Sequence, residues 1–340
     1  MRLTLIASFG LVSLLSNLAL AATLNISHQF PGGTLDSGDF RDRLCRKFAV
    51  EIEKRSKGAL SAKVFPAASF IQTNAQFSAV SKGSLDLALL PLANTAFSDI
   101  PELSIGLMPG LVTSYEIGLA WKNAPIGREI SALLAEKNVI IVSWIWQAGG
   151  LASRSRAVIE PDDAKGLKIR GGSIEMDQAL QAAGATAVAM PSNEIYAALK
   201  TGALDAAIST STSLISFHLE HSAKYLTSGR DHSYWFTFEP LIISKSVFQT
   251  LPKDQQELIM KVGAEMEEFA IQEAKADDNK VAEIYLKAGA KVYDLSAQTA
   301  GLWREMARDT SWKKYAEKGP RFARLIQLAD DVIRKQKRQR

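Results

Sequence analysis

Arg170 closes the run GLKIR and is followed by Gly171 and Gly172. A guanidinium stays charged at physiological pH and offers a planar fork of donors that matches a carboxylate in a bidentate pair. Two glycines after it leave no side chains in the way of a small anion. The plainer alternative is a solvated arginine paired with a neighbouring acid, as most charged side chains are. Other residues suited to the same chemistry are His28 and Gln29 behind the run LNISHQF, and Ser209 and Thr210 in the hydroxyl run Ser209 to Ser213. His28 is equally well explained as a histidine satisfied inside the fold. Ser211 to Ser213 are explained as caps of a following helix. Ser209 and Thr210, nearer a strand end, are free to hydrogen-bond a ligand oxygen.

Other chemistries are poorly supported. No nucleophile elbow, phosphate-binding glycine loop, metal-binding Cys/His cluster or dinucleotide fingerprint appears, so neither a cofactor nor catalysis is expected. His218 and His221 share i,i+3 spacing without an accompanying HExxH-type acid, and Asp277-Asp278 lacks a third ligand at suitable spacing. No metal is therefore expected, and the aspartate pair reads as a solvated face. The single cysteine, Cys45, falls near the apolar positions Phe40, Leu44 and Phe48 and reads as a buried thiol. A formal charge of +4 without a dense basic and aromatic patch argues against nucleic acid.

The elements that must position these residues alternate. A short strand ends at Arg170, a helix closes at Gly184, a strand ends at Met190, a second helix closes at Gly202, and a strand runs from Leu204 to Ile208. That order predicts βαβ units and a parallel sheet. Ligands of such sheets sit at the carboxyl ends of the strands, where Arg170 falls. Leu24 to Phe30, Leu60 to Phe65 and Leu85 to Leu90 repeat the plan earlier in the chain. The turns Gly83-Ser84-Leu85-Asp86 and Gly202-Ala203-Leu204-Asp205 echo one another, each with a glycine at a helix end. VIIVSWIWQAGG, residues 139–150, reads as one fully buried strand with Trp144 and Trp146 on the same face. Both tryptophans suit a core, although Trp146 stands close enough to the strand's end to wall a ligand. In HSYWFTF, alternation puts Tyr234, Phe236 and Phe238 on one face and Trp235 on the other, making Trp235 the aromatic expected at the cleft.

The runs KGLKIR, AGATAVAM, PSNEIYAALKTG and ALDAA together resemble the solute-binding subunits of tripartite ATP-independent periplasmic (TRAP) transporters, the DctP family. The resemblance extends over nearly the whole chain after its first 21 residues. It implies an α/β, two-lobed periplasmic-binding-protein architecture with a long bridging helix and a cleft between lobes. It also implies that Arg170 forms a salt bridge to a ligand carboxylate, with polar contacts from the first strand end at His28 and Gln29. Where relatives place a polar contact after the third strand, this chain has Pro91, Leu92 and Ala93 and then Asn94, the position expected to line an otherwise apolar rim. Many relatives carry a second arginine about 20 residues before the GLKIR arginine, a position that here falls in Gly149-Gly150-Leu151. Arg154 and Arg156 lie nearby but read as structural. One arginine would leave a dicarboxylate's second charge poorly compensated, which favours a monocarboxylate, with an apolar or aromatic body.

Residues 1–21 carry one early positive charge, an apolar stretch and a small-residue end, the pattern of a cleaved secretory leader, so a periplasmic protein is expected. The rest is long enough for two domains. Lobe I is expected over 22–147 with 236–275, lobe II over 148–235 with 276–333, and a basic tail over 334–340. Leu251-Pro252 starts a helical stretch to about Ala288, long enough to run beneath both lobes. The function expected is capture of a small organic acid for delivery to TRAP membrane permease subunits, by a monomer. The competing readings are a binding protein of another importer or of a sensor kinase, and a periplasmic enzyme.

Overall fold

The structure is a computed structural model that describes residues 21–92 and 100–338. Nearly all of the expected leader, and Asn94, lie outside the described residues. Twelve strands are described: β1 (Ala22–His28), β2 (Leu60–Phe65), β3 (Leu87–Leu89), β4 (Val139–Ser143), β5 (Trp146–Ser153), β6 (Lys168–Arg170), β7 (Thr186–Ala187), β8 (Ala206–Thr210), β9 (Tyr225–Ser228), β10 (Phe236–Phe238), β11 (Leu241–Ser244) and β12 (Lys291–Asp294). They form two sheets, one per lobe. The first has the order β2-β1-β3-β11-β4, and the second β12-β9-β5-β8-β6-β7 with β10 added on β5.

The expected parallel pairing holds where helices connect the strands, in β1 with β2 and β3 and in β6 with β7 and β8. It fails where the chain changes lobe. There β5 runs antiparallel to β8 and β9, and β11 antiparallel to β3 and β4. The run 139–150, expected as one strand, is two. β4 belongs to the first sheet and β5 to the second, with Trp144 and Ile145 crossing between them. Both faces of each strand are buried, so the apolar run continues through the bend and hides it. A second crossing, Glu239-Pro240, joins β10 to β11, and its Glu239 N–H donates to Ile145 O at 2.9 Å. The two crossings are thereby bonded side by side.

A helix of 35 residues, Lys253–Lys287, is the third link. At 1.5 Å per residue it is roughly 50 Å long. Its first half holds β4 and the crossing: Ser143 donates to Gly263 O at 2.7 Å, and Glu267 accepts from Trp144 N–H at 2.8 Å and from Lys122 Nζ at 2.7 Å. Its second half puts Val281 and Tyr285 into the second lobe's core with Leu214, Leu219 and Leu226. The last helix, Pro320–Arg338, packs on Tyr115–Asn123 and Pro125–Glu136, and its Leu325, Ala329, Val332 and Ile333 enter the first lobe's core. The spacing of those four is that of one helical face. The C-terminal part of 276–333 therefore lies with lobe I rather than lobe II, and the expected basic tail is helical through Arg338.

The Asp277-Asp278 pair is not the solvated face expected. Asp278 is 5 % exposed and accepts from the Tyr115 hydroxyl at 2.7 Å, and that oxygen in turn accepts from Ala148 N–H. One carboxyl thus joins the long helix, a lobe I helix and β5. Burial pushes it up to about 7, against the hydroxyls of Ser211 and Tyr115 that favour its charge. An acid with a folded value above its unfolded one binds its proton more tightly when folded. The stability it contributes is present below the unfolded value and is lost as pH rises through the folded one. Asp278→Asn should therefore flatten the stability profile between about pH 4 and 7, leaving the variant more stable than the parent by on the order of 3–4 kcal/mol at pH 8. Urea midpoints at both ends of that range check it, and a parental slope in the variant would sink the assignment.

Candidate ligand-binding cleft

The cleft is built at the carboxyl ends of β6 and β8. β6 pairs Arg170 with Ala207 of β8, so Arg170 and the pair Ser209 and Thr210 leave the second sheet side by side. Arg170 is 5 % exposed. Its Nε donates to Met190 O at 3.0 Å and its Nη1 to Ile208 O at 2.8 Å, and no carboxylate among the described residues bonds to it. Asp177 and Glu239 act only at Coulombic range. Burial pulls Arg170 down to about 10, and those two acids partly offset it. Burial likewise pushes Asp177 up to about 6, with Arg170 and the Gly171 N–H pulling the other way. The glycine pair has a more exact role than open access. A Cβ on Gly172, whose φ is +96°, would sit 2.6 Å from Arg170 Nη1, and one on Gly171 would sit 2.4 Å from Asp177 Oδ1. Only glycines let the guanidinium and the acid lie where they do.

Arg170, Gly172, Ser192, Ser209, Thr210 and Ser213 line one side of the cleft, and Pro91, Leu107, Trp235, Thr237 and Glu239 the rest. Four sequence-predicted residues, Arg170, Ser209, Thr210 and Trp235, are therefore brought together. Thr210 also caps the helix Ser211–Ser216 by accepting from Ser213 N–H at 3.0 Å. Trp235 Nε1 and Thr237 Oγ1 are buried without a hydrogen-bond partner among the described residues. Buried polar atoms are rarely left so, and orphans lining a cleft mark the positions where a ligand would complete them. The Trp235 backbone is locked to β5 by Gly149 N–H donating to Trp235 O at 3.2 Å. Its ring lies on Gly149, where an added Cβ would come 2.1 Å from Cε3. Where relatives were expected to carry a second arginine, this chain has packed a tryptophan over a glycine.

The other predicted residues go elsewhere. His28 is fully buried in the first lobe, with Nε2 3.1 Å from Asp42 Oδ1. Burial raises the Asp42 carboxyl, but hydrogen bonds from His28, Arg46 and the Gly33 N–H outweigh it and hold the group low. The structural reading of His28 is the one realised. Gln29 is buried with both amide atoms unpartnered among the described residues, yet it is not among the residues lining the cleft. Trp146 is a core residue, packed edge-on to Trp121 at 5.1 Å and stacked on Phe238 at 5.0 Å. It walls no ligand. Arg154 and Arg156 are exposed and outside the cleft.

Two charged residues were missed. Arg41, in the first turn of the helix Phe40–Arg55, is fully buried over the Phe30 ring at 3.5 Å. It forms a bidentate pair with Asp39 at 2.9 and 2.7 Å, and reaches Glu239 at 3.2 Å and, across the lobes, Ser213 Oγ at 3.0 Å. Glu239 also accepts from Gln147 Nε2. Burial raises the Glu239 carboxyl, with Arg41 the main counterweight. A signal was present: Arg41 shares a helical face with Cys45, Phe48 and Ile52, all buried, and a cation in a first turn opposes the helix dipole.

Residues 36–318 match the model of the DctP family, described as bacterial extracellular solute-binding protein, family 7. The chain belongs to this family. A solute-binding protein of Albidiferax ferrireducens is 58 % identical over 319 residues, 93 % of this chain and 94 % of that protein. The crystal structure of a TRAP periplasmic solute binding protein from Rhodoferax ferrireducens with bound malonate superposes with a TM-score of 0.91 at 57 % identity, covering 92 % of this chain and 99 % of that one. The C4-dicarboxylate-binding periplasmic protein DctP of Rhodobacter capsulatus is 24 % identical over 76 % of this chain and 78 % of its own length. The expected two-lobed TRAP architecture and its long helix are thus those of a DctP protein. In this one, Gly149→Ala should drive Trp235 off β5, costing about 1–3 kcal/mol as overpacking does and changing Trp235 fluorescence. Parental stability and emission together would show that the ring is not held there.

Proposed function

We propose that this DctP protein is the periplasmic receptor of a TRAP transporter. It captures a compact organic acid between its lobes, with Arg170 as the carboxylate anchor, and hands it to the membrane permease as a monomer. The carrying observation is the state of Arg170: buried, bonded to two carbonyls and, among the described residues, without an acid in contact and beside donors that lack a partner. Charge-assisted hydrogen bonds in such a site contribute about 1.5–3 kcal/mol net. Ser209, Thr210, Trp235 Nε1 and Thr237 would hold the ligand's remaining oxygens.

The charge of Arg41 is already taken up by Asp39 and Glu239, which leaves one cation for the ligand and favours a monoanion. The malonate-bound relative points to a short diacid, and the two readings are compatible. A second carboxylate entering beside Glu239 adds to the burial that already disfavours its charge, so a diacid would bind together with a proton. The packing of the Trp235 ring on Gly149 favours a ligand of few carbons over one with an aromatic body.

A thermal-shift screen of the purified chain against short mono- and dicarboxylates tests this. An acid present at 100 times its dissociation constant adds about 2.7 kcal/mol of stability. Affinity for a diacid should fall as pH rises, because its binding takes up a proton. Arg170→Ala should weaken binding at least about tenfold. It also frees Met190 O and Ile208 O, so circular dichroism must show the variant folded. A folded variant with parental affinity would overturn the site.

A further inference from the structure

On the second lobe, away from the cleft, His218, Glu220 and His221 bring three ligand-type atoms within 4.8 Å of one another. They lie on the connection between the helix Ser211–Ser216 and β9. His218 takes a left-handed conformation, φ 54° and ψ 44°, and starts the single turn Leu219–His221. Leu219 is buried in the core, which fixes the turn.

Glu220 is the unusual member. It is 4 % exposed, yet no lysine or arginine among the described residues reaches its carboxylate. Lys224 Nζ, the nearest in sequence, donates instead to the backbone carbonyls of Glu220 and Ala288. Oε2 has no partner among the described residues. Oε1 faces only the two imidazoles, His218 Nδ1 at 3.4 Å and His221 Nε2 at 3.5 Å. The histidine side chains themselves are 70 % and 62 % exposed, with rings stacked at 5.7 Å.

A buried carboxylate without a cation is costly. Those separations are long for a hydrogen bond between an imidazolium and a carboxylate, which runs about 2.7–2.9 Å. Both match the edge of a tetrahedron whose centre is about 2.0–2.2 Å from each corner, the bond lengths of zinc to imidazole nitrogen and carboxylate oxygen, and the two nitrogens lie within 4.8 Å of each other. We propose that His218, Glu220 and His221 form a binding site for a divalent transition metal of the zinc class. Three protein ligands leave one position open to water, and the exposed rings give the ion direct access. Two imidazoles and one carboxylate select zinc, nickel or copper over calcium and magnesium, which take oxygen ligands. The histidine pair alone gave no third ligand, and the structure supplies Glu220, buried between them in sequence.

The test is calorimetric titration of the untagged chain with zinc chloride. The expected result is one ion per chain at micromolar affinity or tighter. The double variant His218→Ala with His221→Ala, at exposed positions, should weaken it at least about tenfold, and Glu220→Gln, which keeps the size and removes the charge, should do the same. Organic-acid affinity should stay parental in all variants, which separates this site from the cleft. Sub-stoichiometric or millimolar binding by the parent overturns the proposal, and so does parental zinc affinity in either folded variant.

Discussion

A guanidinium buried among carbonyl oxygens, with its acids held at a distance, is the constraint around which the second lobe is arranged. Charges leave water only when something replaces the lost solvation. Arg170 obtains part of that from Met190 O and Ile208 O, and part from the fields of Asp177 and Glu239. A contacting carboxylate would have satisfied it fully and left nothing for a ligand. Gly171 and Gly172 make room for this arrangement, and the parallel pairing of β6 with β8 aims it at the opposite lobe. The charge of Arg170 is balanced at a distance rather than by contact among the described residues.

The first lobe answers with a cation that is already neutralised. Arg41 carries Asp39 and Glu239 with it and reaches Thr210 and Ser213 across the cleft. It bridges the lobes by hydrogen bonds while adding little net charge. Glu239 stands on one chain crossing and Gln147, which donates to it, on the strand that follows the other. The cleft lining and the two chain crossings therefore share one hydrogen-bond network.

Much of this was legible before any coordinates. Alternating short apolar runs and amphipathic segments gave the βαβ units, and helix formers with a continuous apolar stripe gave the long helix. Period-two alternation singled out Trp235 from its aromatic neighbours. The same alternation could not place Trp146, because both faces of β5 are buried and neither side is marked by polarity. His28 was ambiguous because its partner, Asp42, comes from a different element. Arg41, Glu220 and Asp278 were hidden for a related reason. A charged residue is read as solvated unless its tertiary partners are known: Glu239 and Ser213 for Arg41, and Tyr115 for Asp278, lie on other elements, and Glu220 follows a turn whose left-handed start no sequence rule announces.

The sheet order also says when the chain can fold. β11, residues 241–244, sits between β3 and β4 in the first sheet, and β12, residues 291–294, is the edge of the second. The first lobe's core is sealed last, by the helix Pro320–Arg338. A chain emerging from its N-terminus can thus complete neither lobe until most of its length is free. Its many long-range contacts impose a slow, late collapse. The two lobes are thereby coupled in folding, since neither sheet is complete without strands from beyond residue 240.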